Sequence, residues 1–69
     1  MNQHELINKY LDENGSISPM EAFHDLGITK LATRISEMSR RGYKFIKIRE
    51  SRKNRYGEIV SFMRYRKVS

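Results

Sequence analysis

Lys30, Thr33 and Arg34 lie three and four residues apart, and Arg52, Lys53, Asn54 and Arg55 follow further on in one unbroken run. A guanidinium can donate in parallel to guanine O6 and N7, which an ammonium cannot, and it can grip a phosphate in the same forked way. Neutral side chains such as Thr29, Thr33 and Asn54 add donors for the same kind of target. Groups of this type suit holding a polyanion better than making or breaking a bond. The means for catalysis are sparse. His4 and His24 stand twenty residues apart, without the His-Glu-x-x-His spacing of a metal site. There is no cysteine, and the four glycines are scattered singly, so no glycine-rich phosphate loop is formed. No enzyme, metal site or cofactor is expected.

Charge is split along the chain. Residues 1 to 28 hold one base, Lys9, against five acids, whereas residues 29 to 69 hold thirteen bases against three acids. A basic half carrying a helix and a hairpin implies that one side of the fold faces nucleic acid, and double-stranded DNA is the expected partner. Sixty-nine residues suffice for one domain, 1–69, with one core. Without cysteine that core must come from Leu, Ile, Phe, Tyr and Met. The N-terminus lacks the basic start and apolar run of a signal peptide, and no stretch approaches the roughly 20 apolar residues of a membrane span. The expected location is cytoplasmic, with no membrane partner.

The elements that must position these residues follow from periodicity. Leu6, Ile7, Tyr10 and Leu11 put an apolar stripe on a helix from about Gln3 to Glu13, which Asn14-Gly15 ends. Ser16-Ile17 is a short extended piece. Ser18 is then a cap, Pro19 suits the first helical position, and Glu21 completes a capping box, so a second helix spans Pro19 to Leu26 with Ala22, Phe23 and Leu26 inward. Gly27-Ile28-Thr29 is a tight turn in which Thr29 is expected to cap a third helix, about Lys30 to Arg41. Leu31, Ile35 and Met38 form its inner face, leaving Lys30, Thr33, Arg34, Glu37 and Arg41 outside. Gly42 stops it. Tyr43 to Arg49 and Glu58 to Lys67 then read as strands flanking a basic loop, Ser51 to Gly57. Their inward face is ambiguous: Tyr43 and Phe45 fall out of phase with Ile46 and Ile48, and Val60 and Phe62 with Met63 and Tyr65. A bulge, a second contact surface or a shared dimer face would each account for that.

The expected fold class is therefore mixed α/β, of the α+β kind: three helices and a C-terminal two-stranded β-hairpin, the order of a winged helix-turn-helix. The stretch Gly15-Ser16-Ile17-Ser18-Pro19-Met20-Glu21-Ala22, then Leu26-Gly27-Ile28-Thr29-Lys30-Leu31, Arg34-Ile35-Ser36-Glu37-Met38 and Arg41-Gly42-Tyr43 resembles a family of small helix-turn-helix proteins common in bacteriophage and prophage genomes. Met38 stands where that family more often has Leu. The resemblance covers nearly the whole chain and implies a winged helix, DNA binding and a bacterial host cytoplasm. The chain departs from the repressor-type pattern, since Leu26 and Ala32 occupy places where that pattern has Gly and a branched apolar residue.

On this reading the third helix, about 30 to 41, enters a major groove, with Thr29, Lys30, Thr33, Arg34 and Arg41 at the contact. The wing, about 51 to 57, sets Arg52, Lys53, Asn54 and Arg55 on a backbone or in a minor groove. The same residues would equally serve as the solvated side of an amphipathic helix and a soluble hairpin tip. Glu37 is expected to hold Arg34 by an i, i+3 pair. Two function classes remain open: a DNA-binding transcription regulator or excisionase-like architectural factor, paired on DNA as a homo-oligomer or acting with a recombinase; and a winged-helix interaction module that docks an acidic host or phage protein such as a polymerase.

Overall fold

The structure, a computed structural model, describes residues 1–68. Three helices, α1 (Gln3–Asn14), α2 (Pro19–Leu26) and α3 (Leu31–Arg40), precede an antiparallel hairpin of β1 (Lys44–Lys53) and β2 (Ile59–Val68). The expected architecture is present.

Each helix begins and ends for a local reason. Asn2 caps α1: its Oδ1 accepts from the Glu5 N–H at 2.8 Å, while Glu5 reaches back to the Asn2 N–H. This is a capping box that the sequence reading overlooked. The expected box at Ser18 and Glu21 is formed, with the Ser18 N–H donating to Glu21 Oε1 at 2.9 Å and the Glu21 N–H to Ser18 Oγ at 3.2 Å. Thr29 does not cap α3, a correction to the expectation. The cap position falls on Lys30, at φ −120° and ψ 58°, and its side chain makes no capping hydrogen bond to the first turn. At the other end the Tyr43 N–H donates to Met38 O and the Gly42 N–H to Ser39 O, both at 3.1 Å. That paired arrangement requires a left-handed residue, and Gly42 supplies it at φ +105°.

Leu31, Ile35 and Met38 of α3 are buried against Ile7 and Leu11 of α1, Ile17, Ala22 of α2, Ile28 and Tyr65 of β2. Phe23 is not among them. It is 60% exposed, because α2 is only eight residues long and its inner side is filled by Ala22 and the half-buried Leu26. Tyr65 anchors the hairpin: its N–H and C=O exchange 2.9 Å hydrogen bonds with the C=O and N–H of Ile17, which makes β2 the middle of three extended segments.

The strands are longer than expected. Pairing continues through Ser51↔Ser61 and Arg52↔Val60 to Lys53↔Ile59, so the loop is confined to residues 54–58, and Arg52 and Lys53 belong to β1. The register is continuous from end to end, which removes a bulge as the source of the mixed phase. Alternation explains it instead. Phe45, Met63 and Tyr65 pack on the core, while Ile46, Ile48 and Val60 lie on the opposite, exposed face. Ten residues at about 3.3 Å each outrun the helical bundle, and the molecule measures 39 × 22 × 21 Å.

Ile35→Ala should lower the unfolding free energy by about 2–4 kcal/mol, whereas Ile46→Ala on the outer sheet face should change it by no more than about 0.5 kcal/mol. Equal losses in urea titration would contradict this placement of the core.

Candidate nucleic-acid interface

Because the inner face of α3 is fixed by Leu31, Ile35 and Met38, its remaining residues are forced outward. Thr29, Lys30, Thr33 and Arg41 are exposed, with Thr29 and Lys30 in the turn just ahead of α3 and Arg41 just past its end. Arg34 is half-buried. Its Nε lies 3.4 Å from Glu37 Oε1, the i, i+3 pair expected, but the contact is too poorly aligned to be a hydrogen bond, and the buried Nε has no hydrogen-bond partner. What attracts the two groups is charge alone.

Glu37 is held chiefly from another helix. His4 of α1 donates from Nε2 to Glu37 Oε1 at 2.9 Å, and His4 Nδ1 lies 3.1 Å from Arg41 Nη1. That hydrogen bond from His4, helped by the nearby Arg34 charge, holds the Glu37 carboxyl below the usual carboxylate range. His4 escaped the sequence reading because its partners are 33 and 37 residues away, beyond any helical spacing.

In the wing, Arg52, Lys53 and Arg55 are exposed. Arg52 and Lys53, as neighbours on a strand, point to opposite faces, so they cannot both serve a flat contact on one side. Asn54 organises the turn. Its Oδ1 accepts from the N–H groups of Tyr56 at 2.9 Å and Glu58 at 3.0 Å, while Gly57 donates back to Asn54 O at 3.0 Å. The Asn54 side chain thus offers a ligand only its amide nitrogen, itself 3.4 Å from Glu58 Oε1. Tyr56 at the tip is 81% exposed, an aromatic face beside the bases.

Other bases are occupied within the chain. Arg64 donates to Glu50, to Glu21 at 2.9 Å and to Ser16 at 3.1 Å, contacts that hold its guanidinium firmly protonated. Lys67 donates to Asn8 and Asp12 of α1 at 2.6 and 2.7 Å. Ser16 and Ser18 are likewise engaged, the first by Arg64 and the second, buried, as a cap. By contrast Lys44, Lys47, Arg49, Arg52, Lys53, Arg55 and Arg66 have no acidic partner within 4 Å among the described residues. On the acidic side, Tyr10 donates to Asp25 at 2.8 Å; burial first, and this bond second, push its phenol up to about 12. His24 and then Tyr10 hold the Asp25 carboxyl down. Among the described residues no three His, Asp or Glu side chains are grouped to share a metal ion, and no helix is long and apolar enough to cross a membrane.

Three helices around one core, an outward third helix with basic flanks and a long basic hairpin define a winged helix-turn-helix. The chain belongs to the winged helix-turn-helix domain family, whose sequence model matches residues 2–65. Membership in this family suggests DNA as the partner. No curated protein and no solved structure matches the chain.

The depressed Glu37 carboxyl sets a direction for stability against pH. A carboxyl lowered in the folded state adds stability above its ordinary value of 4.5 and loses it as pH falls further. Urea midpoints measured between about pH 6 and about pH 3 should therefore fall less steeply for Glu37→Gln than for the parent chain. Identical slopes would mean that the His4–Glu37 contact is not made in solution.

Proposed function

We propose that the chain binds double-stranded DNA, with α3 in a major groove and the hairpin tip on the adjoining backbone or minor groove, as a transcription regulator or an excisionase-like architectural factor in a bacterial host cytoplasm. The observation that carries this reading is the distribution of unpaired charge. Lys30 and Arg41 flank the outer side of α3, and Arg52, Lys53 and Arg55 gather at the wing end, all exposed and without an acidic partner within 4 Å among the described residues. Like charges concentrated on one surface repel one another, and a polyanion relieves that repulsion. Thr29, Thr33 and Arg34 complete the groove-facing set, Arg34 with its terminal nitrogens for a guanine edge. Asn54 is kept as the residue that shapes the wing, with its amide nitrogen as its one donor.

A second reading has its own support. Met20 and Phe23 on α2 are 69% and 60% exposed, and Val60 and Phe62 line the same cleft from the hairpin. Apolar surface of this kind fits a protein partner, whether a recombinase, a polymerase or a second copy. A partner bound there would extend the few base pairs that one small domain can touch.

Fluorescence anisotropy of a labelled duplex at about 50 and about 200 mM salt tests the DNA reading. Binding should weaken with salt at a slope of about −0.9 per phosphate neutralised. Replacing Arg52, Lys53 and Arg55 together by Ala should flatten that slope by about 2–3 whatever the sequence, whereas Arg34→Ala should cost about 1–3 kcal/mol at a preferred site only. Absence of binding at the lower salt would sink the reading and turn attention to an acidic protein.

A further inference from the structure

His4 is packed against α3, yet the DNA contact proposed above does not touch it. Its side chain is 19% exposed, and both ring nitrogens are engaged, Nε2 at 2.9 Å from Glu37 Oε1 and Nδ1 at 3.1 Å from Arg41 Nη1. A guanidinium has N–H groups and no usable lone pair, so the nitrogen facing Arg41 must accept. The nitrogen facing the carboxylate then donates. This set of contacts selects a neutral ring with its proton on Nε2.

We infer that His4 is a positioning residue for the DNA-reading helix: held between Glu37 and Arg41, its neutral ring keeps the Glu37 carboxylate from a hydrogen-bonded pair with Arg34 and holds Arg41 on its other nitrogen. The inference rests on the DNA-binding reading. Glu37 lies beside the Arg34 guanidinium, and a carboxylate in that position can form a forked, charge-assisted pair with it. Such a pair would withdraw N–H groups that Arg34 offers to DNA. Here Oε1 is occupied by the His4 N–H instead, and Arg34 Nε is left at 3.4 Å with no hydrogen bond, although it is buried. That nitrogen faces the carboxylate as an ion pair without a hydrogen bond, because His4 takes the oxygen it would use.

The same geometry makes the bracket sensitive to protonation. A second proton on the ring would sit on Nδ1, pointing at the Arg41 guanidinium, and that contact would be lost. Arg41 would be released toward a phosphate and the ring would add a positive charge of its own. The charged groups that meet His4 from α3 and its C-terminal end are Glu37 and Arg41, with Arg34 and Arg40 beside Glu37. On α1, Glu5, Lys9 and Asp12 line the adjoining groove, which Tyr43 closes at the start of the hairpin and Met1 at the chain terminus. Glu5 is held by the Asn2 cap and Asp12 by Lys67, so Glu37 is the carboxylate in contact with the ring. Uptake of that proton is therefore expected to raise DNA affinity.

Two substitutions separate positioning from mere packing. In His4→Gln the amide can donate to Glu37 and accept from Arg41 but cannot take up a proton, whereas His4→Ala does neither. Duplex affinity is measured by anisotropy at about pH 8 and about pH 5.5, with His24→Gln as a control on the remote histidine. At the higher pH, His4→Gln is expected within about twofold of the parent and His4→Ala about fivefold weaker. On acidification the parent and His24→Gln tighten several-fold and His4→Gln does not. A His4→Ala variant that binds like the parent at pH 8, or a His4→Gln variant that keeps the parent's pH response, overturns the inference. Nitrogen-15 NMR of the free protein provides a reading that needs no DNA: the Nε2–H ring is expected at about pH 8, and an Nδ1–H ring overturns the geometry. If the parent binds no duplex at either pH, the DNA reading itself fails and this role with it, an outcome recognised because every variant is then equally silent.

Discussion

One antiparallel rung joins the two halves of this molecule, and the position of the wing depends on it. The two 2.9 Å bonds between Ile17 and Tyr65 tie the segment between α1 and α2 to the middle of β2, and both residues are buried in the common core. Without that rung the hairpin would have no backbone pairing beyond itself, and two-stranded ribbons are marginal in water. On either side of it a charged residue of β2 reaches back to the helices. Arg64 meets Ser16 and Glu21, and Lys67 meets Asn8 and Asp12. Part of the acidity of the first 28 residues is thus used to orient the basic half, and the charge split serves the fold before it serves a ligand.

This division bears on what a surface ion pair is worth here. An isolated exposed pair contributes from nothing to about 1 kcal/mol. Arg64 differs in being half-buried and shared among two carboxylates and a hydroxyl, so its geometry is set by several partners at once. Its effect is directional: it fixes where β2 runs relative to α2, and hence where the tip stands relative to α3. The spacing between wing and third helix is what a duplex would sense, and it is determined by residues that need not touch DNA.

Most of the architecture was legible because it rests on local signals. Ser18-Pro19-x-Glu21 announced α2, Leu31, Ile35 and Met38 announced the inner side of α3, and single glycines marked the ends. Thr29 misled because a side chain suited to capping does not cap unless the backbone places it there, and the helix starts one residue later than expected. Phe23 misled because size and hydrophobicity do not secure burial on a short helix whose inner side is filled by Ala22 and Leu26. Arg52 and Lys53 were read as loop because charge hides strand propensity, whereas the Asn54 side chain closes the turn only after them. For the candidate site, residue types were visible and their engagement was not. Nothing local distinguishes Arg64 and Lys67, which are held within the chain, from Arg52 and Arg55; and His4 reaches Glu37 and Arg41 only through the packing of α1 on α3.

The outer face of the hairpin shows how the molecule tolerates apolar surface beside its charge. Register sets Ile46 opposite Arg66, Ile48 opposite Arg64, Phe62 opposite Glu50 and Val60 opposite Arg52, so every apolar residue of that row faces a long charged one. Long charged side chains interleaved in this way break one large apolar patch into smaller ones. The far edge of β1 has no strand partner among the described residues, and Lys44, Lys47, Arg49, Arg52 and Lys53 line that strand. Repulsion between two such edges opposes sheet extension by a second copy. The bases along the wing therefore answer two demands that point the same way, keeping strands of different copies apart and leaving positive charge for an anionic partner. Removing them for solubility or for affinity studies alters both, and a lost interaction with DNA has to be separated from a gained interaction between chains.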